Sequence, residues 1–564
     1  MNSPKTSFEV QVLADKNWVI AEMASDEKAA KSFAENLLQA GNHVAVRVVR
    51  DYERLDGTHS ETVVMEKKAA EKAAGDPTLS PITEAPLCAE LEDFYGLAAR
   101  TTIGKLLRKY LDEALITPTE LLHDAKEMKR FGDKGNLLFS AIDKVSSLQA
   151  RAAGEETGKG RKEFLDKSWD GLNKRARDFA ATKPKAPQTF AQALAAAGQG
   201  AGQPFALRAL VSMALLEKRS WFGKLDLLIA WAAEPAAADH MPVIDGVIAD
   251  LTVPAQVIQD LLGFQSNLAS ALCQIADLTE GKAETAKFAP ETFTELNKLF
   301  AAGRLPLARE ILMSRVVREI GGANPLSRND PGQEYEMFHK VLHRLVDRDN
   351  VIGGPHMAEA LLQRGSRVLN AGGGTVSAPQ ALQLMLAALG DGCVRLQFML
   401  TLCASALGKS MGDVLTEVLS TQVRKATHID QWIAVRVLPR DRMAALTAAA
   451  KAMKTCPVLM DEFKIPLRDH IDEVMVRYLQ DEGVIEKIDK PDDPLAARAI
   501  RLVKFCGSGV LIEGKSLNMA KARVIEHLRQ KQFEEKFLAS VSDPGQGEKH
   551  LRDFHRLLVE CGFS

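Results

Sequence analysis

Residues 305–320, which read LPLAREILMSRVVREI, show the pattern that decides most of this fold. Apolar residues recur near positions i, i+3, i+4 and i+7, which is typical of an amphipathic α-helix. The same pattern recurs in short segments broken by Gly or Pro, at Thr102–Ala114, Phe205–Leu216, Pro254–Leu262, Tyr335–Val346, Ala378–Leu389 and Leu517–Leu528. Helices this short are not stable alone and must pack on neighbours. From Leu87 onward the sequence therefore predicts multi-helix bundles or an irregular α-solenoid-like array, without a fixed repeat.

The start of the chain follows a different period. In chain order its segments are a strand at 8–12, a strand through Trp18 and Ile20, a helix at 30–38, and strands at 44–48 and 62–65. These periods predict a small α+β domain of order ββαββ over residues 1–68. A single helix covers one face of such a sheet, so the other face or an edge strand remains available to a partner.

Composition shifts divide the rest of the chain. The predicted divisions are a linker at 69–86, a helical domain with a basic segment at 87–182, a flexible Ala/Gly/Pro linker at 183–204, and a large all-helical domain of one or two sub-bundles at 205–564. The two linkers are predicted because they hold Gly and Pro and few large apolar groups. The fold class is thus mainly α, with a small N-terminal α+β domain.

The composition excludes several classes of protein. The chain has 564 residues, 46% hydrophobic and 26% charged, with a net charge of −2, so no overall field attracts nucleic acid or an anionic membrane. Its longest apolar stretch, about 396–407, is shorter than the ~20 residues that span a bilayer, and its start does not resemble a secretory signal. The seven cysteines include no CxxC pair, which favours free thiols in the cytoplasm over disulfides or structural zinc.

Residues 151–190 form a basic segment. Ten lysines and arginines stand there against six acidic residues. A phosphate-backbone surface would use such a segment. The charges are interleaved, however, and only Phe164 and Trp169 are there to stack on a base, so a solvated helix is the preferred interpretation. Nucleic acid is kept as an alternative partner.

Residues 509–516, GVLIEGKS, match the phosphate-binding loop G-x-x-x-x-G-K-[ST]. In that loop the glycines, here Gly509 and Gly514, let backbone amides wrap phosphates, while Lys515 and Ser516 would hold the outer phosphates and magnesium. The context disfavours this function, because no core strand precedes the motif and the loop interior is apolar. The preferred interpretation is a short loop before a helix; it requires that residues 510–512 be buried.

Two further motifs have a chemical interpretation and a structural one. Gly408-Lys-Ser410-Met-Gly412 fits the G-x-S-x-G nucleophile elbow, but a helical segment precedes it where a strand is required, so a helix–helix turn is preferred. His339 and His343 lie on one helical stripe with Glu336 and Asp347 and would suit a metal ion. That stripe lies opposite the apolar face, which favours exposure to solvent.

These patterns show no convergent catalytic set, so we expect no enzyme and no cofactor. A small α+β module tethered to helical arrays resembles bacterial cytoplasmic adaptors in a general way. We therefore expect a cytoplasmic scaffold or adaptor that binds proteins through helical surfaces and the N-terminal module. The alternative is a nucleotide- or nucleic-acid-dependent regulator that uses residues 509–516 and 151–190. The identity of the partner and the oligomeric state are not encoded in these patterns.

Overall fold

A computed structural model gives the architecture of the chain. It describes residues 5–14, 17–39, 45–53, 59–68, 78–154, 158–284, 289–328, 330–370, 376–541 and 547–563. Within these residues the chain is mainly helical, with one small antiparallel sheet near its N-terminus, as the sequence predicts. Residues 69–77 of the predicted first linker lie outside the described residues.

The N-terminal module is a four-stranded sheet with one helix. Its elements are β1 (Lys5–Ala14), β2 (Asn17–Ala24), α1 (Glu27–Gln39), β3 (Ala45–Glu53) and β4 (His59–Lys68). The strands pair antiparallel in the order β2-β1-β3-β4, which makes β2 and β4 the two edges. The predicted ββαββ order is confirmed.

Helix α1 packs on one face of this sheet. Buried Phe8, Val10 and Val12 of β1 face it, because alternate residues of a strand share one side. Small residues of α1, Ala30 and Ala34, are fully buried and allow the helix to approach the strands closely. Helix α1 does not contact the opposite face of the sheet.

The remaining described chain forms helices that follow one another closely along the sequence. In chain order they are α2 (Leu97–Leu106), α3 (Arg108–Ala114), α4 (Pro118–His123), α5 (Ala125–Gly132), α6 (Gly135–Ala153), α7 (Lys159–Ala181), α8 (Phe190–Ala197), α9 (Gln203–Leu216), α10 (Trp221–Ala232), α11 (Met241–Thr252), α12 (Ala255–Leu262), α13 (Leu268–Thr279), α14 (Pro290–Ala301), α15 (Pro306–Gly321), α16 (Glu334–Leu345), α17 (Gly354–Asn370), α18 (Ala378–Leu389), α19 (Gly392–Cys403), α20 (Ala406–Ser410), α21 (Gly412–Lys425), α22 (Pro439–Thr455), α23 (Asp461–Asp481), α24 (Val484–Ile488), α25 (Leu495–Cys506), α26 (Lys515–Leu528), α27 (Phe533–Ala539) and α28 (Gly547–Glu560). Short 3-10 helices occur at Leu91–Tyr95, Pro235–His240, Pro331–Gln333 and Ile429–Gln431.

The chain divides into two compact units. The first unit comprises Met1–Ser266 and Asp277–Met313, and the second comprises Asn267–Ala276 and Ser314–Ser564. The division falls inside α13 and α15, so these helices contribute residues to both units. The domain boundaries at 87, 183 and 205 stay predictions.

Helix α8 lies inside the segment 183–204, where the sequence predicts a flexible linker. Its residues Phe190 and Ala193 are fully buried, and the Phe190 ring lies 6.0 Å from that of Trp231. The carboxylate of Glu234 accepts hydrogen bonds from the amides of Phe190 and Ala191 at the start of the helix. The alanines of this segment favour helix, and one buried aromatic side chain anchors it.

No single helix in the described part of the chain is long and apolar enough to span a membrane. One pair, Pro235–Thr252 with Ala255–Leu262, reaches that length and composition only when the two are combined, and it is bent by 92°.

Candidate functional site

The face of the N-terminal sheet opposite α1 carries exposed apolar side chains. The strand register places Ile20 and Met23 of β2 opposite Gln11 and Glu9 of β1, on the side away from α1. Ile20 is 46% exposed and Met23 is 55% exposed. We call this side the open face; around buried Gln11 and Val49 it includes Ser7, Glu9, Leu13, Trp18, Ile20, Met23, Arg47, Asp51, Glu61, Val63, Glu66 and Lys68.

Polar side chains at the centre of the open face contact one another in series. The Gln11 side chain donates from Nε2 to Glu9 Oε2 at 2.7 Å, and Arg47 Nε donates to Gln11 Oε1 at 2.7 Å. The Arg47 guanidinium also lies 4.5 Å from the centre of the Trp18 ring, within the range of a cation–π contact. These contacts link β2, β1 and β3, so the apolar side chains around them stand on a rigid support.

The two edges of this sheet differ in character. Strand β2, NWVIAEMA, has a single charged residue, Glu22, while β4 carries charges along its length, HSETVVMEKK. Charged side chains on an edge discourage pairing with another strand, whereas an apolar edge invites it. Among the described residues no strand pairs with the outer side of β2. The β2 edge, with exposed Val19 beside Ile20 and Met23, is therefore the open pairing position of the module.

The loop at residues 509–516 is packed into the second unit. Val510, Leu511 and Ile512 are each no more than 5% exposed, so the burial that distinguishes a structural loop from a phosphate loop is present. Lys515 extends outward, and its Nζ lies 2.6 Å from Glu473 Oε1. This ion pair raises the pKa of Lys515 and lowers that of Glu473.

A carboxylate of the protein occupies the position that a phosphate would need in that loop. Asp472 of α23 accepts hydrogen bonds from the amides of Lys515, at 2.5 Å, and Ser516, at 3.1 Å, at the start of α26. A side chain at Gly514 would collide with the same carboxylate, which explains a glycine there. The hydroxyl of Ser516 is fully buried and donates to the Ile512 carbonyl. This geometry favours the structural interpretation over phosphate binding.

His339 and His343 of α16 lie side by side, with ring centres 6.0 Å apart. The His339 ring also packs 4.3 Å from that of Tyr335, and burial together with His343 lowers its pKa. In the described part of the chain no group of three His, Cys, Asp or Glu side chains is placed to hold a metal ion. The structure thus brings the two histidines together without a third ligand.

Residues 159–181 of the basic segment form α7, and several of the charges on this helix have acidic partners. Lys162 pairs with Asp143, Lys174 with Asp178 and Arg175 with Glu92. The ring of Trp169 packs 5.7 Å from that of Phe131, and the ring of Phe164 stacks on that of Phe94 at 6.3 Å. Since these aromatic rings face the protein interior, the arrangement favours a helix that packs on its neighbours over a nucleic-acid surface.

Ser410, the candidate nucleophile, closes the short helix α20. Its hydroxyl donates to the Leu407 carbonyl at 2.8 Å. A serine whose hydroxyl is held by the preceding turn and which ends a helix does not have the strand-to-helix position of a nucleophile elbow.

A buried charged cluster around α4 is a feature that the sequence analysis missed. All six residues of α4, Pro118 to His123, are buried. Glu120 Oε1 lies 2.5 Å from Lys224 Nζ, and both side chains are almost fully buried. Burial raises the pKa of Glu120 and lowers that of Lys224, and their attraction opposes both shifts. The T-P-T-E sequence at 117–120 does signal a capped helix start, but nothing in it signals burial.

Three more ionisable residues complete this cluster: Arg100, Asp250 and His123. Arg100 Nη1 lies 2.7 Å from Asp250 Oδ2, and Thr119 donates its hydroxyl to the same carboxylate. His123 Nδ1 is hydrogen-bonded to the Thr119 carbonyl oxygen, while the buried Nε2 of the same ring has no hydrogen-bond partner. Burial lowers the pKa of His123 to about 3, so its ring is neutral at physiological pH. Because the ion pairs satisfy each other, the cluster serves the packing of the first unit.

No protein-family model matches this chain, and no curated protein and no solved structure matches it. The functional argument therefore rests on the geometry of the open face and the β2 edge.

Proposed function

We propose that this chain is a non-enzymatic scaffold or adaptor, and that its N-terminal module binds an extended segment of a partner protein as a fifth strand along β2. The apolar β2 edge, which no described strand pairs with, is the observation that carries this proposal. Strand addition takes its affinity from main-chain hydrogen bonds and its specificity from alternate side chains. The helical units would supply further protein-binding surfaces of the kind that scaffolds use.

The charges of the open face indicate the chemistry of the segment. Glu9 of β1 stands on that face beside Met23, while Asp51, Glu61 and Glu66 stand on it farther from β2, together with Arg47 and Lys68. A fifth strand would place every second side chain beside Ile20 and Met23, on the same side as these carboxylates. We therefore expect a partner segment in which apolar residues alternate and at least one Lys or Arg faces the sheet.

The cytoplasm is the compartment that we propose for this function. None of the seven cysteines, all of them in the described residues, forms a disulfide bond, and six are buried. Buried thiols without disulfides are typical of a reducing compartment. No observation favours the alternative of a nucleotide-dependent regulator, because Asp472 holds the amides that a phosphate would use.

The test is to pan a displayed library of random peptides against the full chain. The recovered peptides are then measured by calorimetry against the wild type and Ile20→Lys. We expect recovered peptides with alternating apolar residues and a basic residue, and at least tenfold weaker binding to Ile20→Lys, because the new charge stands where an apolar contact is required. Isotope-edited infrared spectra of the bound peptide would show a β-strand.

Val63→Lys is the matched control, since Val63 is a similarly exposed apolar residue at the opposite, charged edge. It should bind the peptides as the wild type does. Equal losses in both variants, or peptides that bind as helices, would refute the proposal. Concentration-dependent dimerisation that Ile20→Lys abolishes would also refute it, because a second copy of the chain would then be the occupant of the β2 edge.

A further inference from the structure

Helices α2, α4, α5, α6 and α7 of the first unit surround a cavity of about 110 Å³. Non-helical residues 85–88 complete its wall. The larger side chains that line it are aliphatic or aromatic, and include Ile103, Leu107, Phe131, Leu138, Ile142 and Trp169. The cavity is thus a hydrocarbon-walled space inside a bundle.

The polar side chains that reach this wall already form hydrogen bonds with other groups of the protein. The Thr102 hydroxyl donates to the Ala98 carbonyl at 3.0 Å. The Gln149 amide donates to the Pro86 carbonyl at 2.6 Å and accepts from Arg161. None of the described residues that line the cavity is charged. A water molecule needs two or more polar partners to be stable in such a space, so an apolar occupant is favoured over water.

Residues 85–88 form a thin wall between the cavity and solvent. Pro86 and Cys88 line the cavity, while Leu87 between them is 52% exposed. Two side chains are hydrogen-bonded to the backbone of this wall: Gln149 donates to the Pro86 carbonyl, and Arg161 Nη2 donates to the Cys88 carbonyl at 2.6 Å. We call Gln149 and Arg161 the latch.

We propose that this cavity is a binding site for a small apolar ligand, of the size of one aromatic ring or a hydrocarbon of about six carbons, and that residues 85–88 are its door. Apolar cavities only somewhat larger, about 150 Å³, stay dry and take up benzene. The site needs no charged group on its ligand and disfavours one, because a polar atom placed in the cavity loses its hydrogen bonds to water.

The test uses fluorobenzene and the full chain, with binding followed by fluorine NMR and by the shift in unfolding temperature. We expect saturable binding at one site, which raises the unfolding temperature because the ligand binds the folded state alone. Phenol should bind at least tenfold more weakly, because its hydroxyl finds no free partner in the wall. Ala141→Leu should abolish binding, since its added carbons occupy the cavity.

Ala153→Leu is the matched control, because it adds the same carbons to an exposed position of the same helix α6. It should leave binding unchanged. Ala99→Val on α2 is the second filling variant, used if circular dichroism shows that Ala141→Leu does not fold. Arg161→Ala should speed exchange of the bound ligand at least tenfold by freeing the door. No saturable binding, or binding that the folded filling variants retain, would overturn the proposal.

Discussion

Helix α4 in the first unit and the start of α26 in the second unit are both built on a buried carboxylate, and the two carboxylates are neutralised differently. Glu120 pairs with Lys224, a cation as buried as itself. Asp472 accepts hydrogen bonds from two backbone amides at the start of α26. The first arrangement places two charges in the interior, and the second uses the partial positive charge of a helix N-terminus. The cost of losing a partner therefore depends on whether the group left behind reaches water.

The largest effect is expected when the buried cation is removed. Lys224→Met leaves Glu120 without a counter-ion among apolar groups, and we expect the free energy of unfolding to fall by about 3–5 kcal/mol, which is typical of a broken buried pair. Denaturant unfolding at neutral pH measures this loss. Lys174→Met is the control, because Lys174 forms an ion pair with Asp178 at the surface of α7. That variant should cost less than about 1 kcal/mol.

A double variant sharpens this prediction. Replacing both members, as Lys224→Met with Glu120→Leu, removes both buried charges together. Its stability should recover most of the loss, since apolar replacements of a buried pair are often neutral or stabilising. If the double variant is no more stable than Lys224→Met, the desolvation argument for this pair is wrong.

A smaller effect is expected at the start of α26. Asp472→Ala removes both acceptors from the amides of Lys515 and Ser516, and we expect a loss of about 2–3 kcal/mol, because the amides are left without partners in a partly buried site. Urea unfolding checks the value. Lys515→Ala removes only an exposed ion pair and should leave stability unchanged.

The same two variants address the phosphate-loop motif. Because Asp472 occupies the anion position, neither the wild type nor Lys515→Ala should bind a nucleotide, as measured by calorimetry with ATP and magnesium. Binding of ATP by the wild type that Lys515→Ala abolishes would contradict the structural interpretation of residues 509–516.

The contrast between the two regions also marks what the sequence can and cannot predict. Local patterns predicted the ββαββ module, and the helix predicted at Ala378–Leu389 has those bounds in the structure. Thr102–Ala114, predicted as one helix, is two helices that meet at Leu107, because the backbone there leaves the helical region. The apolar residues inside 509–516 correctly pointed to burial.

Contacts between distant residues lie beyond such patterns. Asp472 caps a helix 43 residues away, Lys224 lies 104 residues from Glu120, and no local period relates the members of either pair. The helix in 183–204 was missed for the same reason, because Phe190 is buried only where Trp231 packs beside it. The sequence indicated the free sheet face, but the apolar β2 edge emerged only once the strand order was known.

Between pH 7.5 and 5.5 the smallest expected loss of stability concerns His123, whose buried Nε2 has no hydrogen-bond partner. Burial lowers its pKa from 6.5 to about 3, and the nearby Arg208, Arg100 and Arg175 act in the same direction. A base whose pKa is lower in the folded state contributes stability above its unfolded pKa and loses it as the pH falls. We therefore expect this group to cost the fold about 1.4 kcal/mol for each pH unit below 6.5, down to about pH 3.

His123→Phe isolates this contribution, because it keeps an aromatic ring between Tyr95 and Phe205, whose ring centres lie 4.8 and 5.0 Å from that of His123. The other titrating groups are common to both proteins, so the difference in their unfolding free energies between pH 7.5 and 5.5 reports His123 alone. We expect the wild type to lose about 1.4 kcal/mol more than the variant over this range. Equal losses would mean that His123 accepts a proton in the folded state. The buried site around α4 would then tolerate an unpaired positive charge, contrary to the desolvation argument made for Glu120 and Lys224.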